Sequence, residues 1–153
     1  MSGVRPATLD DAPALLDLGR LFMRETGLPG TFSDDRARAT IDYALTHDHC
    51  RVLVACREGG VVGGVMLSLV AFWAVEPYCY VEAFYVRPDW RATLVARDLV
   101  EAVCEQADAA GCAATFAGAN ALAGGRIDML FVSLFAKFGF AKAGPVLMRI
   151  CPR

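Results

Sequence analysis

Between Glu58 and Glu76 the chain carries no charge, and what Gly59–Val75 becomes decides what the rest of the sequence can build. As a helix it would be a membrane span. It is somewhat shorter than the ~18–20 apolar residues a span needs, and Gly59, Gly60, Gly63, Gly64 and Ser68 interrupt it. As a strand it fits better. Strands buried on both faces read as near-continuous apolar runs, and Val61–Val75 is such a run. The amino terminus, Met-Ser-Gly-Val-Arg-Pro followed by acidic residues, shows no secretory signal. We therefore read a soluble, cytoplasmic chain without a membrane partner, whose interior strand needs neighbours on either side.

The chain has 153 residues, 56% hydrophobic and 21% charged, which is enough apolar surface for one core and too little length for two. A single domain over 1–153 is expected. The formal charge of −2, with no run of like charges, argues against an electrostatic grip on nucleic acid or an anionic membrane. The six cysteines are irregularly spaced without a C-x-x-C pair, and most sit in apolar strings, so reduced thiols are expected. His47-Asp48-His49-Cys50 has the residue types of a metal site, but no second cluster completes a ligand set. Histidines at a helix end, near its negative pole, are the simpler account, and no metal is expected.

The periodicity places the remaining elements. Gly3–Ala7 reads as a short strand, and Thr8-Leu9-Asp10-Asp11 supplies helix-start chemistry for a face of Ala12, Leu15, Leu16, Gly19, Phe22 and Met23. Gly27-Leu28-Pro29-Gly30 breaks that helix, and Ser33-Asp34-Asp35 starts another that ends near His47. Cys50–Cys56 and Cys79–Val86 read as strands either side of the uncharged run. From Arg91 the pattern is helical, with Leu99, Val100, Val103 and Ala107 on one face and Asp98, Glu101, Glu105 and Asp108 on the other. Ala113–Ala117 is a short strand. Gly118–Gly125 is glycine-rich, and Ile127–Phe138 is a helix stopped by Gly139, whose Met129, Leu130, Val132, Leu134 and Phe135 form a core stripe. Phe140–Lys142 and Val146–Ile150 are expected as final strands. Helices interleaved with hairpin-linked and crossover-linked strands imply a mixed sheet in an α/β or α+β domain.

That order resembles the GCN5-related N-acetyltransferase (GNAT) family, and local strings carry the likeness across nearly the whole chain. Val86-Arg87-Pro88-Asp89-Trp90-Arg91 looks like the end of the family's fourth strand and the start of its acyl-CoA pyrophosphate loop. Phe135-Ala136-Lys137-Phe138-Gly139-Phe140 is similar to its late Y-x-x-x-G-F signature, and Val4–Asp11 to its opening strand and acidic helix start. The resemblance implies a mixed, mostly antiparallel sheet of six to seven strands flanked by about four helices. It also implies that the backbone of Phe84, Tyr85 and Val86 pairs with the pantetheine arm, and that the Arg91, Ala92, Thr93, Leu94, Val95, Ala96 loop holds pyrophosphate. Asn120 and Asp128 compete for a cofactor-contacting asparagine position.

The same comparison shows departures. The family's loop usually reads R/Q-x-x-G-x-G/A, and Leu94 stands at the first glycine, where a side chain is costly if the backbone needs positive φ. Phe135 stands where many relatives have a tyrosine that protonates the departing thiolate. Tyr78, Tyr80 and Tyr85 are hydroxyls near the same strand, each simply explained by packing. Glu82 lies where relatives often place a carboxylate that accepts the amine's proton. Strict alternation would put Tyr80, Glu82 and Phe84 on one face and Val81, Ala83 and Tyr85 on the other. A carboxylate among aromatics is costly to bury unless hydrogen-bonded or protonated, so Glu82 is either the base or a solvated strand residue.

The resemblance implies transfer of an acetyl group from acetyl-CoA to a primary amine of a small molecule or peptide by direct attack. A catalytically weakened acyl-CoA-binding or interaction domain stays open beside it. Trp90, Phe72 and Trp73 suit an acceptor pocket, an oligomer face or the core, and Phe72–Val75 is expected to face a second copy in a homodimer.

Overall fold

The computed structural model describes residues 3–118 and 129–144. In chain order the elements are β1 (Val4–Pro6), α1 (Ala12–Thr26), α2 (Asp34–Thr46), β2 (Cys50–Arg57), β3 (Gly60–Val70), β4 (Tyr78–Val86), α3 (Val95–Ala109), β5 (Ala114–Ala117) and α4 (Met129–Ala136). The sheet runs β1-β2-β3-β4-β5, antiparallel except for the parallel β4–β5 pair. It is therefore a mixed α+β sheet with four helices around it, as expected.

The expectation of six to seven strands is corrected to five among the described residues. Phe140–Lys142 is not a strand. Gly139 takes φ +85°, the Phe140 N–H bonds the Phe135 carbonyl at 3.3 Å, and the Phe140 ring turns onto Phe135 at 5.0 Å. That closes a helix end, and 140–142 carry no strand. Val146–Ile150, like Asn120 and Asp128, lies outside the described residues. The long strand is also shorter than expected and stops at Val70. The neighbouring β2 gives out at the Cys50–Ser68 pair, so β3 soon has a partner on one side only. Phe72, Trp73 and Val75 consequently sit in the connection to β4, with exposures of 63%, 92% and 96%. Among the described residues no helix is long and apolar enough to cross a membrane.

Register assigns the two faces. Strand residues paired in an antiparallel ladder share a face. Val81 pairs with Leu67, and Phe84 with Val65, whereas Ala83 pairs with Met66 and Tyr85 with Gly64. Glu82 is the extra residue between those pairs, a β-bulge. It reverses the alternation, so Val81, Phe84 and Val86 share the face packed by Val95, Leu99 and Val103 of α3. Ala83 and Tyr85 point to the side of α1 and α2. The expected grouping of Phe84 with Tyr80, and of Tyr85 with Val81, is thus overturned by one inserted residue.

Helix α3 begins later than its periodicity suggests. Pro88–Trp90 forms a 3-10 turn, and α3 starts at Val95. Asp98, expected on its solvent face, is 8% exposed and receives a 2.8 Å bond from Arg57 Nη2. Helix α4 turns Phe131 and Phe135 toward Phe84, leaving Met129 and Leu130 exposed instead of in the expected core stripe.

Close packing of α3 on the sheet depends on Gly63. A Cβ there would lie 3.0 Å from the Tyr85 carbonyl oxygen and 3.3 Å from Leu99 Cδ1. Gly63→Ala should therefore lower stability by about 1–3 kcal/mol, seen as an earlier urea midpoint. At the other sheet edge, Asp11 accepts both Arg5 guanidinium nitrogens, at 2.7 and 2.9 Å, and the Thr8 N–H at 2.8 Å. The Arg5 bonds, followed by the Thr8 amide, overcome the cost of burial and hold its carboxyl at about 2, below the ordinary 3.8. A depressed carboxyl stabilises the fold above its unfolded value and loses that contribution as pH falls through the folded value. With Arg5 half exposed, Asp11→Asn should cost about 1–2 kcal/mol at pH 7. The gap to the unaltered protein should close between about pH 4 and pH 2 in matched urea titrations.

Candidate active site

The β4–β5 ladder ends at Val81–Ala117, because β5 is only four residues long. On its other side β4 stays paired with β3 as far as Val86–Gly63. From Glu82 to Val86, β4 therefore has no strand beyond it among the described residues, which leaves an opening between strands four and five in the described part of the sheet. The Arg87 N–H reaches the Val62 carbonyl at 2.9 Å, which fixes which way the backbone groups alternate. Those of Tyr85 point at β3, while those of Phe84 and Val86 point into the opening. The Val86 carbonyl accepts Arg91 Nε at 2.8 Å. Of the predicted run, Phe84 and Val86 thus present backbone groups to the opening and Tyr85 does not.

Phenyl rings wall the opening on its α4 side. Phe135 is 3% exposed, stacked on Phe131 at 4.2 Å and edge-on to Phe84 at 5.6 Å. It offers an apolar surface and no proton.

The end of β4 leads through the 3-10 turn into the Arg91–Leu94 loop and the N-terminus of α3. Leu94 takes φ −76° and ψ −3°, an ordinary right-handed conformation, and its side chain is 60% exposed. The strain expected at this glycine position does not arise, because the loop turns without a left-handed residue. Thr93 Oγ1 donates to the Trp90 carbonyl at 2.6 Å and accepts the Val95 N–H at 3.3 Å. The next amides, of Ala96 and Arg97, lack an acceptor one turn back by helix geometry, and with the helix dipole they favour an anion. The Arg91 side chain turns inward: besides Val86 it binds Glu25, and it lies 5.2 Å from the Tyr85 ring centre.

Glu82, at the bulge, sits where β5 leaves β4. It is exposed rather than buried, and it accepts a short hydrogen bond from the Ser68 hydroxyl. Bulges re-aim a side chain out of the regular pleat, which is how this carboxylate leaves the packed faces. Tyr80 beside it stacks on Phe116 at 5.1 Å, and Tyr78 also contacts that ring. The Tyr85 hydroxyl donates to Glu25 at 2.6 Å. Burial, then that hydrogen bond, pushes the phenol up to about 12, so it keeps its proton at neutral pH. His47 and His49 are held by Tyr43, one stacked at 3.7 Å and the other hydrogen-bonded at 2.8 Å, at the end of α2.

Glu25 and Ser68 were not anticipated. Ser68 had a signal, being the one hydroxyl in an otherwise apolar strand across from Glu82. Glu25 had none, since its partners lie 60 and 66 residues away.

A mixed sheet whose short fifth strand pairs in parallel with β4, with a helix beginning soon after β4 ends, is an acetyltransferase-type α+β arrangement. The chain belongs to the Acetyltransferase (GNAT) family, whose sequence profile matches residues 15–140. Solved structures agree on the fold. The integron cassette protein HFX_CASS3, from the mobile metagenome of Cole Harbour Salt Marsh, is 21% identical with a TM-score of 0.80, over 97% of this chain and 90% of that one. The aminoglycoside acetyltransferase AAC(6')-Iy, in complex with a CoA-containing bisubstrate analog, is 19% identical with a TM-score of 0.78, over 98% and 97%. A ribosomal-protein-alanine N-acetyltransferase from Brucella melitensis biovar Abortus 2308 is 17% identical with a TM-score of 0.72, over 96% and 99%. Sequence comparison with curated proteins gives no match.

Proposed function

We propose that this protein, as one domain, transfers the acetyl group of acetyl-CoA to a primary amine by direct attack. The observation that carries the reading is the second half of β4, which no strand among the described residues pairs on the β5 side. Phe84 aims its backbone groups, and Val86 its N–H, at the position a further strand would occupy, while the Val86 carbonyl is held by Arg91; the amides of a pantetheine arm can be paired there in the same way. The loop of Arg91, Ala92, Thr93, Leu94, Val95 and Ala96 brings the α3 N-terminus to the mouth of the opening, where its first amides suit pyrophosphate. Arg91 acts in this reading by fixing the loop to Val86 and Glu25, and Tyr85 by supporting Glu25. Asn120 and Asp128 remain proposed cofactor contacts.

Acetyl-CoA is a consumed substrate that supplies an activated thioester. Glu82 takes a proton from the amine, directly or through water, and its exposure lets it exchange that proton with solvent. The new C–N bond forms as the C–S bond breaks, and the thiolate departs with CoA and is protonated from solvent. Phe135 and Phe131 exclude water beside the opening. Phe135 donates nothing, so the missing acid lowers the rate without removing the positioning contributed by β4.

The buried, purely apolar setting of Phe135 also favours the second reading, an acyl-CoA-binding or interaction domain with weak turnover. The donor, the cytoplasmic setting and the absence of a nucleic-acid partner are the same in both. Exposed Phe72, Trp73 and Val75 support homodimerisation in either case.

Calorimetry with acetyl-CoA and thiol release over a panel of amines separate the two. The first reading expects binding and turnover, with Glu82→Gln lowering kcat by about 10²–10⁴-fold while KM for acetyl-CoA holds. Binding without turnover on any amine establishes the second, and no binding overturns both.

A further inference from the structure

On the face of the sheet opposite α3, a cavity of about 220 Å³ lies between α1, α2 and strands β2 to β4. Leu15 and Phe22 of α1, Ile41 of α2 and Met66 of β3 form much of its wall, and Ala83 and Tyr85 bound it on β4. No charged side chain lines it among the described residues. Its hydroxyls are already committed: Tyr85 donates to Glu25 at 2.6 Å, and Thr40 to the Arg36 carbonyl at 2.9 Å. Glu25 is in turn held by Arg91 as well as by Tyr85, so this carboxylate is not free to receive a cation.

The cavity and Glu82 lie on the same side of the sheet. Ala83 and Tyr85 face α1 and α2, and so does Ser68, which pairs with Tyr80 and holds the Glu82 carboxylate. The α4 side of the opening is closed by Phe84, Phe131 and Phe135. A molecule with its body in the cavity and its nitrogen directed along β4 past Ala83 therefore meets Glu82 at the bulge.

We propose that this cavity is the acceptor pocket and that it takes a primary amine bearing an apolar group. An apolar cavity of about 150 Å³ holds a benzene ring, so this one suits a group of about six to eight carbons. A polyhydroxylated polyamine is a poor fit, because its hydroxyl and ammonium groups would be desolvated without partners. The pocket's assignment to the acceptor rests on the acetyltransferase reading. Its preference for apolar amines is read independently, by binding.

The test is calorimetric titration of the full chain with methylamine, butylamine, hexylamine, 2-phenylethylamine and the aminoglycoside neamine, with and without CoA, followed by acetylation of each with acetyl-CoA. Affinity is expected to rise about threefold to fourfold per methylene up to hexylamine, with neamine well below it. Ala37→Phe fills the cavity from α2 and should weaken hexylamine at least tenfold while leaving acetyl-CoA affinity unchanged. Thr40→Phe, at an exposed rim position, repeats the test with less risk to folding, and thermal unfolding verifies both variants. Neamine binding or reacting better than hexylamine overturns the proposal. So does a chain-length dependence that appears in an acetyl- to hexanoyl-CoA series and is abolished by Ala37→Phe, which gives the cavity to the acyl chain. Failure to bind acetyl-CoA, with the amine series intact, overturns the acetyltransferase reading and leaves an apolar-amine site.

Discussion

A strand edge left unpaired inside a folded chain exposes backbone donors and acceptors that must be satisfied by water, side chains or a ligand. Among the described residues that edge is the second half of β4, paired with β3 along its length but with β5 only from Tyr78 to Val81. The asymmetry follows from the shortness of β5 and the long pairing of β3. The rest of the site follows from the asymmetry. It creates the opening, and the phenyl rings of α4 close one side of it. It also leaves the Val86 carbonyl for Arg91, whose inward turn ties the loop before α3 to Glu25 on α1.

The bulge at Glu82 sits next to the last β4–β5 pair, and in the proposed function this coincidence gives the site its base. A regular β4 would send the residue-82 side chain into one of the packed faces. One extra residue lets the carboxylate stay exposed while Val81 and Phe84 both remain in the core against α3. A polar group placed in the middle of a strand thereby avoids being buried in an apolar face. Ser68, directly across the ladder from Tyr80, holds the re-aimed carboxylate with its hydroxyl.

Much of this frame was legible in the residues. Gly59–Val75 without a charge excluded an exposed strand, and the helix-start residues at Ser33 and Asp34 led directly to α2. Ala113–Ala117 was legible as a short strand, and β5 runs over Ala114–Ala117. What escaped were features set by single residues or by distant ones. A bulge shifts register without altering composition, so alternation alone put Phe84 and Tyr85 on the wrong faces. Asp98 looked like a solvent-facing helix residue because Arg57, which pairs with it, is 41 residues away. Leu94 looked strained only on the assumption of a left-handed loop, which the 3-10 turn at Pro88–Trp90 makes unnecessary. Phe72–Val75 read as strand because apolar composition cannot show where the neighbouring strand has run out.

Under the proposed function, the two sides of the sheet separate the general demands of a fold from the particular demands of an acceptor. In the proposed function the backbone groups at Phe84 and Val86, and the amides at the start of α3, meet amide and phosphate chemistry with little help from side chains. Such features tolerate the low identities seen across structures of this shape. The α1 and α2 side depends on side chains instead, and here they are aliphatic and aromatic. A shared fold therefore carries no claim on a shared acceptor, even where solved structures of the same shape include an aminoglycoside acetyltransferase. The same physical property that made the chain unusually apolar in sequence, an interior supplied by both sheet faces, also furnishes a pocket whose polar groups are already satisfied. For the proposed acceptor, an amine with a hydrophobic body, that is recognition by burial, with Glu82 beyond Ala83 along β4.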